Sequence, residues 1–314
     1  MKITEPGPPA GWSRRGPPWI VLSLAILTGL TAGARPGARP YTPVGSLLAG
    51  GAPANGPAPH ASHPKTAPPL ALSWADTDSH RASLWPRYNP DPDTLWVAQF
   101  SRSPSADPSG SGWVPIAFGG GRGETEYWPS AREGRSCLQA EARGAGSGLI
   151  RLMELQPRDF PRLRWSWWVL GPVPGGDLTR KEGDDAAARV YVNFRFDPSR
   201  AGLVDRLKHR LASRRFGGEA PGRSLVYVWA NSLPPGTVIP NAYTDEAMII
   251  VVRSGEEDAR RWWDEERNIL ADFRRAFGED PPEITSLAIM SDADDTGTEA
   301  LACYGDIHFL SPGP

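Results

Sequence analysis

The sequence predicts an all-β domain, an antiparallel β-sandwich of jelly-roll type with one or two short helical insertions. Three observations predict it. From Trp113 onward, short apolar or alternating runs recur at regular spacing, as strands with one buried face must. Gly and Pro, 34 of each in 314 residues, punctuate those runs. Helical periodicity surfaces in only two places, too few for an α/β fold.

The elements follow in chain order. Trp113 to Phe118 opens the set. Ser136 to Ala142 places Leu138, Ala140 and Ala142 on one face, and Gly148 to Glu154 sets Leu149, Arg151 and Met153 opposite Ile150 and Leu152. Arg164 to Leu170 carries Trp165, Trp167 and Val169 on one side and Trp168 and Leu170 on the other, so both sides of this strand are covered. Arg189 to Phe196 alternates cleanly: Val190, Val192, Phe194 and Phe196 point one way, Arg189, Tyr191, Asn193 and Arg195 the other. Leu225 to Trp229 and Met248 to Arg253 are strongly apolar, and Leu287 to Met290 and Leu301 to Leu310 close a set of six to nine strands. Val204 to Phe216 reads as a basic amphipathic insertion, and Ile269 to Phe277 as a helix ended by a Gly278 cap.

Upstream the composition changes. Lys2, Arg14 and Arg15 precede the apolar run Trp19 to Leu30, and Ala32, Gly33 and Ala34 offer small residues for a signal peptidase. This predicts a signal peptide over 1–34 and an exported, periplasmic or secreted chain. An uncleaved signal anchor is the alternative, and it is the one membrane contact the sequence indicates. Ser13-Arg14-Arg15 approaches a twin-arginine signal, from which Gly16, Pro17 and Pro18 depart. Residues 35–112 read as a Pro/Gly/Ala-rich linker with Trp74, Trp85 and Trp96 toward its end, where Trp96 to Phe100 suits a short edge strand. The domain is then placed at 113–312.

Composition excludes several classes. The formal net charge is −2, so the counterion-release term that drives nucleic-acid binding has no evident footprint and nucleic acid is not an expected partner. Two cysteines, Cys137 and Cys303, cannot build a disulfide scaffold. One bridge and two buried thiols both fit, since Cys303 lies on the apolar side of its strand pattern and Cys137 opposite the apolar residues of its own. There is no G-x-S-x-G elbow, zinc spacing, P-loop or dinucleotide fingerprint.

Three constellations remain. The first is the loop Asp177 to Ala188, whose paired Asp184 and Asp185 feed into a strand presenting Arg189, Tyr191 and Asn193. Tyr stacks on sugar rings while Arg, Asn and Asp bind hydroxyls, so these five residues form a candidate ligand face. Ion pairing of Asp184 or Asp185 with Arg189 or Lys181, fixing the loop, explains them equally well. The second is Ser291 to Glu299, in which Asp292, Asp294 and Thr296 take the first, third and fifth positions of a calcium loop and Gly297 the sixth. Cys303 stands where the closing Glu belongs. Ca²⁺ is the one cofactor suggested, with a hairpin capped by its own Asp side chains as the plainer reading. The third is Trp262 to Asn268, where Glu265 and Glu266 sit beside aromatic anchors for the core. Glu266 with Asp184 and Asp185 makes the catalytic set of a glycan hydrolase or lyase if the carboxylates stand about 5–9.5 Å apart. A charged, solvated segment accounts for them without catalysis.

The blocks KEGDDAAARVYV (181–192), YVWAN (227–231), VRSG (252–255), ERN (266–268), DFRRAFG (272–278), SDADDTG (291–297) and YGDI (304–307) resemble the bacterial family of unknown function numbered 3047, DUF3047. The resemblance spans about 113–310, implies an exported protein and carries over no catalytic residue. The closing strand from Tyr304 is also similar to the last strand of galactose-binding-like jelly rolls in carbohydrate-binding modules. The expectation is an exported β-sandwich that binds an extracytoplasmic glycan or similar polyhydroxylated ligand. The alternatives are the glycan hydrolase or lyase and a structural or envelope-assembly protein.

Overall fold

The computed structural model describes residues 91–102, 112–117, 123–199, 201–216 and 220–313. The signal segment, most of the linker, Trp74 and Trp85 lie outside the described residues. Thirteen strands and two α-helices are found among those described. The strands are β1 (Thr94–Ala98), β2 (Trp113–Ala117), β3 (Glu126–Arg132), β4 (Arg135–Arg143), β5 (Gly146–Leu155), β6 (Arg162–Val169) and β7 (Arg189–Phe194). Then come β8 (Arg223–Ala230), β9 (Val238–Asn241), β10 (Thr244–Ser254), β11 (Trp263–Asn268), β12 (Ile284–Asp292) and β13 (Glu299–Leu310). The helices are α1 (Leu203–Phe216) and α2 (Ile269–Phe277).

They form a two-sheet sandwich. The first sheet runs β11-β6-β13-β4-β3, with β1 added to β13; the second runs β2-β5-β12-β7-β8-β10-β9. All neighbours are antiparallel except β8 and β10, because β10 inserts between β8 and β9 and so runs parallel to β8. Nine strand regions are legible from apolar runs, and β3, β9 and β11 are not. Pro129 interrupts β3 and Pro240 interrupts β9, and both are edge strands, where a missing N–H is tolerated. β11 is an edge strand of charged residues that pairs with β6 along its whole length. β1 pairs with β13, Trp96 opposite His308, so ordered sheet begins before the boundary read at residue 113.

The alternating pattern of β6 decides the core. Leu163, Trp165, Trp167 and Val169 point inward and are buried. Facing them from the second sheet are Val190, Val192 and Phe194 of β7 and Leu225, Tyr227 and Trp229 of β8. Ring pairs join the two sheets: Trp165 to Tyr227 at 5.2 Å and Trp167 edge-on to Trp229 at 6.0 Å. Each pair adds about 0.5–1.5 kcal/mol beyond the area it buries. α2 closes one end of this core with Ile269 and Phe273, the latter 4.6 Å from Phe194. Its span and its Gly278 cap are as the sequence reads, Gly278, at φ 75°, donating its N–H to Arg274 O; the structure adds an N-terminal cap, the Asn268 side chain accepting from Ala271 N.

β13 changes partner along its length, from β4 to β1, at a register shift between Tyr304 and Ile307. The shift lets both of those residues face the core. Gly305 occupies the bend because a Cβ there would stand 2.1 Å from Ser166 Oγ.

Cys137 and Cys303 form a disulfide between the neighbouring strands β4 and β13, with Cα atoms 5.6 Å apart. Cys303 faces away from the main core, since the inward residues of β13 are Ala300, Ala302 and Tyr304. The apolar surroundings that the sequence assigns to it are real but lie outside: Trp168, Trp262 and Leu301 cover the bridge. The bridge closes a loop of 166 residues, for which lost chain entropy in the unfolded state amounts to about 4–5 kcal/mol. The Cys137→Ser/Cys303→Ser variant is therefore expected to lose about 2–5 kcal/mol in urea unfolding, with m rising as the released unfolded chain expands. A loss under about 1 kcal/mol would show that strand pairing alone holds this region.

Candidate functional site

The long connection from β6 to β7 crosses the outer side of the second sheet, and local chemistry fixes its path. Asp177 accepts from Thr179 N and Thr179 Oγ1, making an Asx turn. A single 3-10 turn follows at Lys181–Gly183. Leu178 and Ala186 then settle on Val226, Val228, Ala230, Ala247, Ile249 and Val251, a second apolar cluster outside the main core. The loop thereby buries the residues that follow it, and Asp184, Asp185, Arg189 and Asn193 all end up inside.

Arg189 is the centre of this region. Its Nη2 donates to Asp184 Oδ1 at 3.0 Å and to Asp184 O at 2.6 Å, and its Nε donates to Asp292 Oδ1 at 3.0 Å. Asn241 Nδ2 donates to the other oxygen of Asp184, and Ala186 N to Asp292 Oδ1. Burial acts to lower the Arg189 pKa, but Asp184 and Asp292 outweigh it and hold the guanidinium well above its usual range. Burial pushes the Asp292 carboxyl well above the carboxylate range, with repulsion from Asp185 and Asp184 adding to it against the pull of Arg189. From the core side, Tyr304 Oη accepts from Arg189 N, donates to Met290 O and pairs with Ser291 Oγ.

Three loops meet here. Asp185 accepts from Asp295 N and Thr296 N, which ties the β6–β7 loop to the β12–β13 loop. Tyr243, just beyond β9, places its hydroxyl 3.0 Å from both Asp295 Oδ2 and Lys181 O, which share its one proton. Carboxylate oxygens of Asp185, Asp292 and Asp294 lie within 4.8 Å of one another. Gly146 makes room for this group, since a Cβ there would stand 2.3 Å from Asp294 Oδ1. An all-oxygen set of this kind suits a hard cation such as Ca²⁺. Of Asp292, Asp294 and Thr296, the first two belong to this carboxylate group. Asp185 supplies the third carboxylate, while the Thr296 hydroxyl pairs with Thr298 Oγ1.

The other predicted residues are placed as follows. Asn193 donates to Ser286 Oγ and accepts from Ser224 Oγ, a closed network within the sheet. Tyr191, half-buried, contacts Met290 Sδ at 3.7 Å. Of the candidate ligand face, only Tyr191 retains much contact with solvent; Arg189, Asn193, Asp184 and Asp185 are buried. The catalytic set does not converge. Glu266 is on β11 of the first sheet, ion-paired with Arg164 and with Arg162 at 3.6 Å. Asp184 and Asp185 are on the outer side of the second sheet. Glu265 points inward and accepts from Trp167 Nε1 and Arg253 Nε.

A surface that sequence reasoning misses lies on the outer face of the first sheet. Trp96 packs against His308 at 4.5 Å between ring centres, and His308 stands opposite Arg164 in the strand pair, itself bonded to Glu266. Further along, Trp262 sits 4.6 Å under the Arg135 guanidinium, and Arg135 pairs with Asp264 at 3.0 Å. The sequence reads Trp262 as a core anchor; its neighbour Trp263 fills that role. The one signal in the sequence is the double coverage of Arg164 to Leu170.

The buried ion pairs make a direct prediction. Replacing Arg189 with Met leaves two buried carboxyls without their cation and is expected to cost about 3–5 kcal/mol. Replacing Arg195 with Met, which breaks a half-exposed pair with Glu283 at 2.7 Å, should cost at most about 1 kcal/mol. Urea unfolding of the two variants side by side measures the difference.

Comparisons with known proteins add the family. Among solved structures, the chain is similar to the glycoside hydrolase domain of Endo-D from Streptococcus pneumoniae, with 10% identity and a TM-score of 0.28 over 64% of this chain; it spans only 22% of that one. It is similar to a cleaved adhesin domain of Lys-gingipain from Porphyromonas gingivalis, with 12% identity and a TM-score of 0.30 over 70% of this chain and 99% of that one. A loop-swap mutant of Xyn11A from Necallimastix patriciarum shows 7% identity and a TM-score of 0.29 over 70% and 96%. No curated protein matches. The family described as "Protein of unknown function (DUF3047)" matches residues 111–308, more than half of the chain, and the chain belongs to that family.

Proposed function

We propose that this protein is an exported β-sandwich that binds an extracytoplasmic glycan or similar polyhydroxylated ligand on the outer face of its first sheet. The observation that carries this is the strip of half-exposed aromatic rings, Trp96 and Trp262, with Arg164, Glu266, Arg135 and Asp264 between and beside them. A sugar ring needs an accessible flat apolar surface with fixed polar groups at its edge. The Arg189 row has the residue types but is closed over by its own loop. The disulfide supports export, because such bonds persist in oxidising compartments.

The test is retention of the full-length chain on a panel of bacterial and plant polysaccharides. Trp96→Ala and Trp262→Ala are each expected to weaken retention about tenfold, the worth of a lost stacking contact of about 1.5 kcal/mol. Tyr191→Phe should leave it unchanged. No retention on any polysaccharide, or equal retention by the tryptophan variants, would sink the reading.

A second reading rests on the carboxylates of Asp185, Asp292 and Asp294. We propose that they hold a Ca²⁺ ion that joins the β6–β7 and β12–β13 loops. Binding only to the folded state at about a hundred times Kd adds about 2.7 kcal/mol. The unfolding midpoint should accordingly rise in Ca²⁺ over EDTA for the wild type and not for Asp294→Asn. Identical midpoints in both solutions would leave the cluster to Arg189 and protons alone.

A further inference from the structure

α1 is anchored to the domain by one side. His209 stacks on Phe196 with ring centres 3.8 Å apart and planes 7° apart, and its Nε2 lies 2.7 Å from Ala220 O. Ser213 Oγ accepts from Ala220 N on the same side, one turn along. Three leucines of the helix face solvent instead: Leu203, Leu207 and Leu211 are 84%, 55% and 45% exposed. Their spacing of four residues stacks them in one stripe along the helix. Arg206 and Arg210, also exposed, stand beside that stripe.

Exposed leucines scattered singly need no explanation, but three in register on a helix this basic do. The segment Leu203–Phe216 holds Arg206, Lys208, Arg210, Arg214 and Arg215 against Asp205 alone, in a chain whose formal net charge is −2. Such a helix matches an interface that is negative at its surface and apolar a few ångströms below. That is the construction of an anionic bilayer, where leucines enter the acyl boundary and guanidinium groups stay among phosphates. A nucleic acid would use the arginines and leave the leucines in water. A protein groove would cover the leucines and leave the charge unmatched unless it were acidic.

We infer that α1 docks this domain, in the plane of the interface, on a membrane surface bearing anionic lipid headgroups. This contact is separate from any signal anchor and from the glycan face, which lies on the other sheet from the β7–β8 connection that contains α1. The domain then has two addresses, one lipid and one polyhydroxylated. Such a pairing holds a polymer close to the membrane.

Co-sedimentation of the full-length chain with vesicles tests it. Two lipid mixtures are needed, pure phosphatidylcholine and phosphatidylcholine enriched in phosphatidylglycerol. The apolar run Trp19 to Leu30 is common to all variants and indifferent to headgroup charge, so the excess binding on anionic vesicles belongs to the rest of the chain. Leu203→Ser/Leu207→Ser/Leu211→Ser and Arg206→Gln/Arg210→Gln are each expected to lower that excess roughly tenfold or more, and added salt to weaken it in the wild type. Because all five side chains are exposed, far-UV circular dichroism and the unfolding midpoint should not change, which separates loss of docking from loss of fold. Equal binding to the two lipid mixtures, or an excess that both variants keep, would overturn the inference. So would leucine-dependent self-association, or capture by RNA in preference to vesicles.

Discussion

The buried guanidinium of Arg189 is the constraint around which this molecule is arranged. A charge with almost no contact with water has to be compensated, and each compensating carboxylate comes from a different part of the chain. Asp184 arrives on the β6–β7 loop and Asp292 at the end of β12. Asn241 is drawn in because Asp184 has a second oxygen to satisfy, and Ala186 N shares Asp292 Oδ1 with the Arg189 guanidinium. The loop cannot leave the sheet without exposing Leu178 and Ala186 and stranding the cation together. Removing Arg189 alone strands its acids, so the knot is costly to open from either side.

That arrangement also explains why the residues with the most functional appearance are interior. Arg189, Asn193, Asp184 and Asp185 have the identities of a polar binding surface, and strand alternation correctly puts Arg189, Tyr191 and Asn193 on one face. Alternation assigns a side chain to a face but says nothing about what lies over that face. The covering loop is made of Asx and 3-10 turns whose own sequence shows only that they are turns. Its burial follows from contacts with Ala247 and Ile249, far downstream in the chain, and no local pattern reports them.

Where the pattern is purely local, the sequence is readable to the residue. The α2 helix spans Ile269–Phe277 and ends at Gly278 as read, because a glycine cap is a matter of a few neighbours. The β7 strand is as plain, with Val190, Val192 and Phe194 facing the core. β11 is opaque for the opposite reason. Its alternate residues Trp263, Glu265 and Arg267 stand opposite Trp167, Trp165 and Leu163 of β6, yet two of the three are charged. Glu265 is tolerated there by Trp167 Nε1 and Arg253, and Arg267 by Asp272. An edge strand satisfied by side chains from elsewhere has no hydrophobic period to display. The calcium-like loop is intermediate. Asp292 and Asp294 are legible as a spacing, whereas Asp185, far earlier in the chain, joins them only because β7 and β12 are neighbours in the sheet.

The outer faces of the two sheets accordingly differ in build. On the second sheet, polar groups hold loops together and the surface is sealed by a lining of Val, Ile and Ala. On the first sheet, the disulfide, Trp168 and the Gly305 bend brace a surface from below, and its outermost side chains stay in contact with solvent. Trp262 lies against Gly305, where a Cβ would approach its ring to 3.3 Å, so the ring rests directly on backbone. Backbone on one side and the Arg135 guanidinium over the ring fix its orientation. Arg135 is fixed in turn between that ring and Asp264. Rigid aromatic and guanidinium groups held at an exposed face add little to stability, since exposed ion pairs contribute little, and the fold is carried instead by the buried rings between the sheets.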